Sequence, residues 1–192
     1  MNPVVSERTT TFCITAVDVR KQLRSFDTSE DTLLDTYIGA AVKNIENRLH
    51  STIQPCTYTF TVAGNFPPVD SEGLRPIELY RPPVTAVESV SYINTDGETV
   101  VMVDDEDYYV SGDAIYPVTD WPDSLVRDRV GQVEVVYTAG RAAPDDDLKL
   151  IIAATAAAFS KNREAITALD IKELPNRASI ERMLDAYRNV QL

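Results

Sequence analysis

The sequence predicts an α+β protein: a helical core, built from two N-terminal helices plus C-terminal helices, with an inserted small antiparallel β-region. Three observations predict it. Apolar residues recur with helical spacing before residue 50 and again after residue 145. Between them, over about residues 56–138, apolar and polar residues alternate and are punctuated by Gly, Pro and Asp. Finally, the stretch 133–164 joins the two textures, with Val133, Val135 and Tyr137 alternating before Ala139-Gly140 ends the strand and Pro144 breaks the chain.

Taken in order, residues 1–12 are polar and Thr-rich without periodicity and predict a flexible arm. Thr15 and Asp18 have capping-box spacing ahead of a short helix in which Val19 and Leu23 lie four apart. Thr28 and Asp31 repeat that spacing, and Leu33, Leu34, Tyr37, Ile38, Ala41, Val42, Ile45 and Leu49 then predict a long amphipathic helix over 29–50. Tyr58, Phe60 and Val62 alternate with threonines as a strand does, and a Pro-, Gly- and Asp-rich loop follows over 65–75. Pro76 to Tyr80 reads as a short strand stopped by Arg81-Pro82-Pro83. Val87, Val90 and Ile93 mark another, and the turn pair Asp96-Gly97 makes a hairpin with Thr99 to Val103. Shorter strands are predicted at 108–110 and 114–116. A helix over 146–163 starts where Asp145, Asp146 and Asp147 meet its unpaired amides and positive dipole end. This helix is apolar or small nearly all round, so part of its surface is expected to pack closely on other helices or on a neighbouring subunit, with Leu148, Ile151, Ile152, Thr155 and Phe159 as the candidate subunit interface. Pro175 ends an ambiguous segment, and Ile180, Met183, Leu184 and Tyr187 share one face of a last helix, which could equally fold back on its own core. The resulting organisation is an arm (1–12), a main domain (13–164) and a C-terminal segment (165–192).

Composition narrows the function. Eighteen basic residues against thirty acidic ones give a net charge of −12, which disfavours a protein whose task is to grip phosphate. The acid is concentrated in residues 51–160, with 18 acidic and 6 basic residues. Cys13 and Cys56 fit no metal-ligand spacing and read as buried free thiols. No export signal pattern and no run of about eighteen apolar residues are present, so a soluble, non-exported protein is expected. The single histidine, His50, ends the long helix, where a donor near the last carbonyls is favourable. With no second histidine, no Gly-rich phosphate loop and no H-E-x-x-H spacing, neither a catalytic site nor a cofactor is expected. The run Asp104, Asp105, Glu106, Asp107 could attract calcium, yet it lacks the Gly and spaced ligands of a recognised loop and reads better as a solvated turn.

Several of these segments together resemble the phage head-tail connector family, the adaptor proteins of long-tailed phages and gene transfer agents. The first match is I-T-x-x-D-V-x-x-x-L-R at 14–24, followed by D-x-L-L-x-x-Y-I-x-A-A-x-x-x-I-E at 31–46. Next come R-P-P-V-x-x-V at 81–87, D-G-E at 96–98 and Trp121-Pro122. The last is the strand-turn-helix carried by Val135, Tyr137, Ala139, Gly140, Pro144, Leu148, Lys149, Ile152, Ala156, Asn162, Arg163 and Glu164. The resemblance implies a virion protein at the head–tail junction, assembled in the host cytoplasm as a ring of twelve copies. Such a ring would sit beneath the portal protein and hand on to a neck stopper or tail-terminator protein. DNA would pass through the channel without sequence-specific binding, and no membrane is involved. Family tails ending L-x-x-Y-R reach the portal, which assigns portal binding to Ile180, Met183, Leu184, Tyr187 and Arg188, with Ala186 where a Pro is often found. Carboxylates facing the channel would repel phosphate; equally, the acid keeps an assembly protein soluble. The alternative from another class is an acidic monomeric binding module, a regulator that binds a cation or an enzyme through Asp104–Asp107 and forms no ring.

Overall fold

The computed structural model describes residues 3–9, 11–62, 65–67, 75–122, 131–161 and 182–187 of the chain. They fall into two compact units, each made from two separated pieces of sequence. One unit takes Met1–Arg8 with Pro55–Arg141, the other Thr9–Gln54 with Ala142–Leu192.

The first unit is built of strands. Its main sheet has the order β1-β2-β8-β4-β5, antiparallel throughout, from β1 (Val4–Arg8), β2 (Cys56–Thr61), β8 (Val133–Ala139), β4 (Val84–Ile93) and β5 (Thr99–Val101). A smaller sheet has the order β3-β7-β6, from β3 (Ile77–Glu78), β7 (Ala114–Pro117) and β6 (Tyr108–Ser111). Alternation does the work in β2 and β8. Cys56, Tyr58 and Phe60 point inward opposite Ala139, Tyr137 and Val135, and the intervening threonines lie half-buried on the other face. In β4 the inner residues Val87 and Val90 are three apart, against the period of two, and a bulge between Val87 and Ser89 absorbs the extra residue. Both sheets bury their side chains in one apolar core with Tyr108, Ile115 and Trp121. Within it the Tyr137 ring stacks on Tyr58 at 5.5 Å, and its hydroxyl donates to the Tyr80 carbonyl at 2.6 Å.

The second unit is helical. In α1 (Ala16–Leu23) the Asp18 carboxylate accepts the Thr15 N–H at 3.0 Å and its hydroxyl at 2.9 Å, tying off the start, and Arg24 closes the end in the left-handed region at φ 55°. In α2 (Asp31–Leu49) the apolar stripe faces inward from Leu34 to Leu49, and His50 takes the left-handed cap, its N–H on the Glu46 carbonyl. Gly39 is small for a reason, because a Cβ there would come within 3.1 Å of the Phe12 ring. The buried Glu46 carboxylate accepts the Ile53 N–H at 3.0 Å and so fixes the chain as it leaves the helix. Helix α3 (Asp146–Lys161) packs on α1 and α2, and Leu184, from a short helical segment at 182–185, is buried in the same core.

Two expectations are corrected. The architecture is not a helical core carrying a small β insertion: eight strands in two antiparallel sheets outnumber four helical segments among the described residues. The reason is the size of the inward side chains. Tyr58, Phe60, Tyr137 and Trp121 are large enough to close a core of their own, so the sheets need no helix to cover them. The N-terminal arm is also misread, since residues 4–8 form β1, paired from Val4↔Thr59 to Arg8↔Cys56. An edge strand whose residues are nearly all exposed has no apolar alternation to read.

Burial raises the pKa of Tyr137 above the ordinary tyrosine value of 10.0. The unfolded chain then ionises first, so this contribution is complete below pH 10 and is lost as pH rises beyond it. Urea denaturation should show stability falling above pH 10. Tyr137→Phe should cost about 1 kcal/mol at neutral pH and reduce the alkaline slope; an equally steep slope in the variant would clear Tyr137 of responsibility.

Candidate functional site

The residues that carry chemistry in other proteins are engaged in structure here. His50 is the helix cap already described. Both cysteines are free thiols in different units: Cys56 lies inside the sheet with Sγ donating to the Glu7 carbonyl at 3.2 Å, and burial pushes the Cys13 thiol up. The acidic run forms a tight turn knitted by its own backbone. Asp107 Oδ2 accepts the Val103 N–H at 2.8 Å, Asp104 Oδ1 accepts the Asp105 N–H at 3.1 Å, and Asp105 sits at φ 63°. Its carboxylates are thus directed at the turn as well as at solvent. Among the described residues no three His, Cys, Asp or Glu side chains converge as a metal cage would require.

The residues expected at interfaces belong to the helical unit. Leu148, Ile151, Ile152, Thr155 and Phe159, expected at a subunit interface, are all buried among α1, α2 and α3 of the same chain. Ala153, Ala156 and Ala157 let the helices approach closely enough to cover α3 nearly all round, which is what the apolar circumference signalled. Leu150, 47% exposed, is the large apolar side chain this helix leaves in solvent. Of the expected portal-binding residues, Leu184 is buried in the helical core and Met183 and Tyr187 pack partly against it. Ile180 and Arg188 lie outside the described residues.

Two sets of exposed apolar side chains leave little signal in the sequence. Phe26, in the connector between α1 and α2, is 97% exposed. Its only signal is a lone aromatic among polar loop residues. Val101, at 63%, and Val103, Tyr109, Val110 and Val118 are exposed within 101–118, where alternation marks strands without telling an outer face from an inner one.

This geometry can be set beside known proteins. No family model matches the chain, and no curated protein matches it either. Solved structures do. A chain from the neck of an empty gene transfer agent particle, computed with sixfold symmetry, covers 100% of this chain and 97% of its own at 18% identity and TM-score 0.75. A chain from the virion of a native gene transfer agent particle gives 16% and 0.74, and one from a native neck computed with twelvefold symmetry gives 17% and 0.72, each with the same coverage. The chain has their fold.

Burial makes a sharp contrast within α3. Ile152→Ala should lower the unfolding free energy by about 2–5 kcal/mol, whereas Leu150→Gln should change it by about 0.5 kcal/mol or less. Chemical denaturation of both variants checks this, and similar losses at the two positions would contradict the packing.

Proposed function

We propose that this chain is a structural protein of the neck of a phage-like particle, an adaptor that forms a ring at the junction between head and tail. The observation that carries the reading is a fold shared over the whole length with chains of gene transfer agent necks and virions. Two of those necks were computed with sixfold and twelvefold symmetry, and a cyclic array of this chain, of twelve copies, fits that setting. The role is mechanical rather than catalytic.

In this reading the ring sits beneath the portal protein. Its C-terminal segment reaches the portal, with Leu184 as the internal anchor that holds the segment to the helical unit. The opposite face meets a neck stopper or tail-terminator protein. DNA passes through without sequence-specific binding, because a chain of net charge −12 repels rather than grips phosphate over a screening length of about 8 Å. Assembly takes place in the host cytoplasm and the product resides in the virion.

Image reconstruction of purified particles from the native source tests this. Density at the head–tail junction should accept the two units in a cyclic arrangement, and mass spectrometry should find the chain at about twelve copies per particle. Particles that carry none of it would refute the assignment.

A further inference from the structure

Phe26 stands apart from the other exposed apolar side chains because the turn that presents it is already ordered. The Ser25 N–H donates to the Arg20 carbonyl at 3.1 Å, the Asp27 N–H to Ser25 Oγ at 3.3 Å and the Ser29 N–H to Asp27 Oδ1 at 2.9 Å. Across the base of the turn, the Arg20 guanidinium pairs with Asp31 at 3.0 Å. A ring held on such a turn gives up little freedom when it docks, and an aromatic side chain buries about 150–250 Å². Leu33, in the first turn of α2, adds exposed apolar surface close by in the chain, and Lys21, Arg24 and Asp27 supply a charged surround. An apolar centre with a polar rim is the anatomy of an interface anchor.

The second observation lies in the β unit. Five of the twelve exposed large apolar side chains among the described residues come from 101–118. The Asp107 N–H donates to the Val103 carbonyl at 2.9 Å, and the Val118 N–H donates to the Asp107 carbonyl at 3.0 Å, so Val103 and Val118 are tied to one backbone turn. Tyr109 lies flat on Tyr116 at 5.4 Å beside them. The chain thus carries one protruding apolar knob and one exposed apolar patch, where Val118 and the Tyr109–Tyr116 pair share a face of the small sheet next to Val103, while Val110 points to the other face.

We infer that Phe26 of one copy seats on the 101–118 surface of the next copy and anchors the contact between neighbours. The inference rests on the ring reading above. A ring of more than two copies repeats a head-to-tail contact, which uses two different patches on every chain. This chain supplies both halves, and a second copy is the neighbour that a cyclic neck guarantees. A specific interface buries about 1,000 Å² or more, so Phe26 is an anchor within a larger contact rather than the whole of it.

The test places a photoreactive benzophenone amino acid at position 26 in the full chain and irradiates assembled particles. The expected product has twice the 21.3 kDa mass of the chain, with the cross-link mapping to residues 101–118. Phe26→Ala should also reduce the copies retained per particle by about tenfold or more, while its melting temperature matches the parent's because the ring touches nothing at home. A cross-link to a different protein, to another part of a second copy, or no product from particles that do contain the chain would each overturn the inference and leave the neck assignment standing. Particles without the chain would instead remove the neck assignment, and this inference with it.

Discussion

The fold depends on burying one face of one strand. β8 lies at the centre of the five-stranded sheet, and its inner residues Val133, Val135, Tyr137 and Ala139 are fully covered. Rows of side chains run across it, Tyr58 to Tyr137 to Val87 and Phe60 to Val135 to Val90, so each neighbour is placed by the residue it must meet. A slip of one residue would turn that whole face toward solvent. Register is therefore fixed by burial. The hydroxyl of Tyr137 adds direction, since a buried phenol must find a partner and the Tyr80 carbonyl is the one it takes. The helical unit obeys the same logic through α3, whose small residues allow close packing on both α1 and α2.

Covering both cores this completely leaves few large apolar side chains in solvent among the described residues. The residues most attractive to a neighbour by sequence, Leu148, Ile151, Ile152, Thr155 and Phe159 of α3, are buried inside the helical unit. Among the described residues, those left outside are single side chains such as Leu150, Phe26 and the exposed group within 101–118. Exposed side chains of this kind cost the fold little to change. A core residue, by contrast, answers to volume and shape at once.

Much of the fold was legible in the sequence, and the gaps have physical causes. Helix α2 spans Asp31–Leu49, within the 29–50 interval that apolar spacing predicts, and β2 and β8 fall where alternation puts them. Periodicity reports which faces are buried, and it does so well for strands and helices with one clear face. It does not report what covers them. That is why apolar spacing predicts a helical core with a small β insertion, although Tyr58, Phe60 and Trp121 build a second core. β1 was invisible because an edge strand owes its place to backbone bonds with β2 rather than to an apolar face. The candidate surfaces were harder still. An exposed Phe and a buried Phe look the same in a sequence, and only the geometry of the turn around Phe26 tells them apart.

Likeness at 16–18% identity with TM-scores of 0.72–0.75 fits this division between core and surface. A core accepts many apolar residue sets if volume and pattern are kept, so a fold can persist while most positions differ. The surface has no such constraint, and contacts made by exposed side chains need not be shared by proteins of one fold. Shared architecture carries the fold alone, and in the proposed ring the residues that join copies have to be read from this chain's own exposed groups. Phe26 meets that requirement because the protein holds an apolar ring in water on an ordered turn, and the helical unit gains no burial from it. In the proposed ring, the stabilisation forgone by leaving this side chain in solvent becomes available when a neighbour covers it, and so belongs to assembly rather than to folding.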